Sequence, residues 1–231
     1  MNPKCWSYGI DITCASMWHC GLAWNIDCHP TNTTVTAISP RHVIYANHFA
    51  YAMNTNLIYC FMGSDGVVSS NRLIRFEGIG SDIGIGLLED ELPTAVHPAK
   101  FLPDDFGDYL GNGSYLPIMT IDQNEWSLIH DLSKFTFFGN KTERVSTNCS
   151  RILQRSQYYK SFIGGDSSSP RFLVIGDQVV LLGTVWKAGG GGCCNANLFK
   201  NEIQAKMDMM CGGYRVEVID LSAFDKVKRK E

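Results

Sequence analysis

Short segments rich in β-branched and aromatic residues, each closed by Gly, Asn, Asp or Pro, follow one another along most of this chain. They are Thr33–Ile38, Val43–Ala46, Leu57–Met62, Leu73–Phe76, Ile83–Leu88, Tyr115–Ile121, Phe135–Phe138, Phe172–Ile175, Val179–Val185 and Tyr214–Ile219. Strands this short and this closely spaced predict sandwiches or barrels rather than βαβ units. Helical periodicity is convincing only over Asn197–Met209, where Leu198, Ile203 and Met207 fall on one face and Asn195 or Asn197 is the cap. Pro103–Ser114 interrupts the strand pattern with turn residues and reads as a linker. It divides a first unit, residues 1–105, from a second, residues 115–231.

The chemistry concentrates in three places. Gly164-Gly-Asp-Ser-Ser-Ser-Pro170 is a small turn that runs directly into Arg171-Phe-Leu-Val-Ile175. Glycines there permit a sharp bend and leave N–H groups free to face an oxyanion, which suits Ser167 as a nucleophile. A serine hydroxyl is a poor nucleophile until a general base takes its proton. Ala37–His48 is an apolar run ending on His48, and Glu77–Leu88 sets Asp82 just before Ile-Gly-Ile-Gly-Leu-Leu. His42 competes with His48, and Glu89 and Asp90 compete with Asp82. The strand entrance favours Asp82, whereas the small Ala46 and Asn47 before His48 favour it over His42 only by resemblance to a known family's catalytic histidine.

The order His48, Asp82, Ser167, with Leu182–Gly190 following, resembles the chymotrypsin-like (trypsin-like) serine peptidases. That resemblance implies two six-stranded antiparallel β-barrels with one late helix, and a catalytic triad of His48, Asp82 and Ser167 in the cleft between them. It implies an oxyanion hole from the N–H groups of Gly165 and Ser167. Ser161 would floor the primary specificity pocket, and Trp186, Lys187, Ala188 and Gly189 would wall it. A neutral floor favours apolar or aromatic substrate side chains over Lys or Arg, with Lys160 or Lys187 placed to favour an acidic one. The expected activity is serine endopeptidase, the partner a protein or peptide substrate, and no cofactor is implied. The alternative is a catalytically silent member of the fold serving as a binding or scaffold module.

The chain departs from the family in specific ways. Ser168 and Ser169 stand where two glycines usually follow the nucleophile, and either tolerates a side chain if its φ is negative. Asp166 is kept, but Met1-Asn-Pro-Lys is not the apolar cleaved start that such an aspartate receives in zymogen-activated members, so an internal partner, or none, must serve it. Phe49 follows His48 where secreted animal members carry a disulfide cysteine. A Ser-His-Asp esterase on another fold is disfavoured, because Gly-x-Ser-x-Gly is absent and the residue order differs.

Composition excludes other classes. A net charge of −3 and a pI near 6.1 give no electrostatic case for nucleic acid, the basic Lys226–Lys230 tail being short. No run approaches the ~20 apolar residues of a membrane span. The first residues lack a signal-peptide core, which leans toward an intracellular protein, with a secreted one whose leader has been removed as the alternative. Nine cysteines are many for a cytosolic chain. Cys14, His19, Cys20, Cys28 and His29 match no zinc-finger or ribbon spacing, so no metal is expected.

Overall fold

Mostly short and largely buried strands build two antiparallel sheets in this computed structural model, which describes residues 6–16, 34–52, 57–110, 115–124, 126–138, 141–185, 193–194 and 196–225. The first sheet holds β1 (Thr36–Ala37), β2 (His42–Ala46), β3 (Ile58–Met62), β4 (Val68–Gly80) and β5 (Ile83–Leu88), in the order β1-β2-β5-β4-β3. A short helix, α1 (Phe106–Leu110), lies in the predicted linker. The second sheet holds β6 (Pro117–Ile121), β7 (Ser127–Phe138), β8 (Lys141–Asn148), β9 (Pro170–Ile175), β10 (Gln178–Thr184) and β11 (Cys193–Cys194). Its order is β10-β9-β6-β7-β8-β11, with the single turn α2 (Leu153–Ser156) between β8 and β9. The C-terminal helix α3 (Lys200–Cys211) lies against β4 and β5.

β2 and β5 are buried at every position, which is why they read as continuous apolar runs. Within β5 the glycines make room for neighbours. A Cβ on Gly84 would come 2.2 Å from Cζ of Tyr45, a ring that is itself wholly buried. In β9 and β10 the period-two alternation serves two cores. Phe172, Val174, Val179 and Leu181 join Ile44, Phe61 and Ile85 of the first sheet, Ile38 just after β1, and Ile203 and Met207 of α3 in one apolar cluster. Leu173, Val180 and Leu182 face the other way, onto Leu102, Ile118 and Leu132. Full burial of an aromatic such as Phe61 or Phe172 contributes about 1.5–3 kcal/mol.

The architecture is mostly β and antiparallel with one sheet curled as a half-barrel, compatible with a chymotrypsin-like fold. Of the expected two six-stranded barrels, the second sheet has six strands, whereas among the described residues the first has five and no pairing joins its outer members β1 and β3, so closed barrels are not evident. Tyr214–Ile219, predicted as a strand, makes only a bridge in which the Phe101 and Ile219 N–H groups bond Glu217 and Phe101 carbonyls. The long helix starts at Lys200 rather than Asn197, after a 3₁₀ turn over Ala196–Phe199. Asn197 is not its cap. Its side chain accepts from Leu102 N–H at 2.7 Å and donates to the Leu181 carbonyl at 3.0 Å, tying the helix start to β10.

Two buried histidines make the fold acid-sensitive. His42 opens β2 with Nδ1 2.8 Å from Ser39 Oγ, and His130 in β7 stacks on Phe162 with ring centroids 4.8 Å apart. Burial pushes both imidazoles down to about 4, helped at His130 by the charge of Arg171. An unfolded histidine takes up its proton below about 6.5, whereas these stay neutral in the fold until about pH 4. Between those values the unfolded chain binds more protons, so stability is complete above pH 6.5 and falls as pH falls toward 4. Thermal melts across this window are expected to show a steadily decreasing Tm; a flat Tm would contradict it.

Candidate active site

The hairpin joining β4 to β5 sets the first half of the site. Gly80 pairs with Ile83, and the two residues between them, Ser81 and Asp82, have φ of 48° and 64°. Positive φ at both central residues is the two-residue hairpin geometry that matches strand twist, and Asp tolerates it better than most residues. The turn points the Asp82 carboxylate at the end of β2. Asp82 Oδ1 accepts the backbone N–H of His48 at 2.6 Å, and Oδ2 lies 2.6 Å from His48 Nδ1. Asp82 O also accepts the Asn47 N–H at 2.9 Å, so carboxylate and backbone together clamp the start of the 3₁₀ turn Asn47–Ala52. The aspartate side chain is 13% exposed and the imidazole 40%, so the pair is shielded on one side and open on the other. With Nδ1–H donated to Asp82, Nε2 is the ring nitrogen left as a base.

His42 sits apart from this pair, wholly buried and edge-on to Tyr214 at 5.5 Å between ring centroids. Asp90 does not meet His48; its backbone N–H and carbonyl bond the side chain of Asn71.

The Ser167 turn forms the second half. Gly165 has φ of 100°, a conformation that strains any side-chain-bearing residue, and a Cβ there would also come 2.3 Å from Gln123 Oε1. Asp166 is buried, and its carboxylate accepts Ile163 N–H at 2.7 Å and Gln123 Nε2–H at 3.1 Å. Gln123 also donates to the Gly164 carbonyl at 3.0 Å. This aspartate therefore has internal partners, and Gln123 is a residue the sequence analysis missed; only its Asp122-Gln-Asn turn context marks it.

The N–H groups of Asp166, Ser168 and Ser169 are taken up by the carbonyls of Ile163, Val185 and Asp166. Among the described residues no hydrogen bond occupies the N–H groups of Gly165 and Ser167. Ser167 itself is half-buried, and among the described residues its Oγ has no hydrogen bond, to His48 or to any other group. Ser168 is the departure from expectation: its φ is positive, 74°, and its side chain is wholly buried. Its hydroxyl accepts Ala46 N–H at 3.1 Å, which brings the turn to the strand that ends two residues before His48.

Ser161 is exposed beside the turn, with Phe162 buried between His130 and Arg171. Lys160 lies with Nζ 4.6 Å from the centre of the Trp126 ring, a cation–π contact. Trp186, Lys187, Ala188 and Gly189 lie outside the described residues, as do Cys20, Cys28, His19 and His29. Cys14 is buried in the first core, where burial pushes its thiol far above the usual range, so it packs as an apolar group. Among the described residues no helix is long and apolar enough to cross a membrane.

Neither a protein-family model nor a curated protein sequence matches this chain.

Proposed function

We propose that this chain is a chymotrypsin-like serine endopeptidase, working in a cleft between two barrel-like halves. The observation that carries the reading is the doubly bonded His48–Asp82 pair, with the Ser167 turn hydrogen-bonded to the same strand end through Ala46. In this mechanism His48 Nε2 takes the proton from Ser167 Oγ as the oxygen attacks the scissile carbonyl carbon. The unoccupied N–H groups of Gly165 and Ser167 receive the negative oxygen that develops. His48 then returns the proton to the leaving amine, the C–N bond breaks, and an ester to Ser167 remains. Water, activated by the same imidazole, releases the acid and restores the serine. Asp82 holds the imidazole in the tautomer that leaves Nε2 as the base and stabilises the imidazolium. Ser161 gives the specificity pocket a neutral floor, and with Lys160 engaged on Trp126 the preference is for apolar or aromatic side chains.

A second reading, a catalytically silent binding module, draws on the missing Ser167–His48 hydrogen bond. Catalytic hydrogen bonds are often long before substrate binds, so the peptidase reading stands first. Labelling with a fluorophosphonate separates the two. Ser167 Oγ displaces fluoride from phosphorus only if the base and the oxyanion site work, so one adduct mapped to Ser167 is expected. A folded protein that takes no adduct would select the silent module.

A further inference from the structure

The hydroxyl of Ser168 occupies a backbone position in the first sheet. Thr36 lies opposite Ile44 and Ala37 opposite Val43, and the Ile38 N–H bonds the His42 carbonyl at 2.8 Å. Continued by two residues, this register sets Thr34 opposite Ala46, as a pair in which the Ala46 N–H would reach the Thr34 carbonyl. The ladder does not close there. Ser168 Oγ stands between the two, accepting Ala46 N–H at 3.1 Å and donating to Thr34 O at 2.7 Å. A side chain 122 residues further along thus replaces one rung of the β1–β2 ladder.

The insertion is demanding. Ser168, Ala46 and Thr34 are all buried, so both backbone groups would be left unsatisfied without the hydroxyl. Holding a non-glycine residue at φ of 74° costs about 1–3 kcal/mol. Glycine would adopt that φ freely but has no hydroxyl to fill the rung. The Ser168 backbone is pinned as well, its N–H on the Val185 carbonyl at 3.0 Å. Ser168 adjoins Ser167, and Ala46 lies two residues before His48.

On the proposed peptidase reading, we infer that Ser168 is a positioning residue: its hydroxyl, built into the β1–β2 ladder, holds Ser167 in reach of His48. It touches neither substrate nor reacting atoms. Without it no other hydrogen bond among the described residues ties the nucleophile turn to the strand that leads to the base. A 1 Å misplacement of a reacting group is enough to cost about 10²-fold in rate.

The test is fluorophosphonate inactivation of the full chain, resolved into the maximal rate kinact and the binding constant KI. Ser168→Gly removes the hydroxyl while suiting the backbone; Ser168→Ala removes it and keeps the strain. Both variants are expected to lose about tenfold to 10²-fold in kinact with KI unchanged, and only Ser168→Ala to show a clearly lower Tm. A folded variant of either kind that labels at the wild-type kinact would overturn the positioning role and leave the peptidase reading standing. A wild-type protein that takes no adduct would overturn that reading, and this inference with it.

Discussion

On the proposed peptidase reading, Asp82→Asn is expected to lower kcat/KM on a peptide substrate by about 10⁴-fold, with little change in Tm. The size follows from the tautomer. Asp82 presents Oδ1 to the His48 backbone N–H and Oδ2 to Nδ1, each at 2.6 Å. An asparagine can keep its carbonyl oxygen on one of these donors only. If the oxygen stays on the backbone N–H, the amide NH₂ faces Nδ1 and obliges that nitrogen to accept. The ring proton then moves to Nε2, the atom that in the proposed mechanism receives the proton from Ser167. The base is present in the wrong form. Folding survives because asparagine has nearly the same shape and tolerates the φ of 64° that the hairpin imposes. Ser167→Ala, which removes the nucleophile outright, marks the floor for comparison. Asp82→Asn with more than a tenth of wild-type kcat/KM would remove Asp82 from the mechanism.

That His48 and Asp82 meet is expected from the resemblance to the chymotrypsin-like residue order, and the structure brings them together because the largely apolar runs beside them, β2 and β5, pair in one sheet. Both runs announce themselves in the sequence. β8 does not, since Lys141-Thr-Glu-Arg-Val-Ser-Thr-Asn148 looks like a polar loop until β7 is available to pair with it. β4 is legible only over Leu73–Phe76, the stretch with enough apolar residues, although it runs from Val68 to Gly80. The devices that complete the site are nonlocal and leave no local trace. Gln123 reaches Asp166 across 43 residues, and Ser168 reaches Thr34 across 134. By the resemblance alone Ser168 stands where a glycine usually follows the nucleophile. Its backbone keeps the φ a glycine would adopt, and its added hydroxyl becomes a rung in a sheet that pattern reading has no means to anticipate.

Arg155→Met is expected to cost about 3–5 kcal/mol of stability, a fall of about 6–20 °C in Tm for a chain of this size. Arg155 in α2 is buried, forming an ion pair with Nη2 3.2 Å from Asp131 Oδ1 in β7, and its Nη2–H donates a hydrogen bond to the Tyr115 carbonyl at 3.3 Å. Asp131 is buried too, its other oxygen accepting Ser150 Oγ–H at 2.9 Å. Truncating the arginine strands a carboxylate away from water, and that uncompensated charge, more than the lost attraction, sets the cost. The double variant Arg155→Met with Asp131→Leu removes both charges and is expected to recover most of the loss, which urea titrations of the two single variants and the double would measure. Equal costs for the single and double variants would show that packing, not charge, holds α2 to β7. The pair anchors the chain just before Tyr158, whose carbonyl accepts Ile129 N–H at 3.1 Å and starts the run toward Ser161 and Ser167. Well below its own Tm, Arg155→Met should therefore keep the wild-type kinact toward fluorophosphonate, because it loosens the scaffold without touching the His48–Asp82 pair or the Ser168 rung.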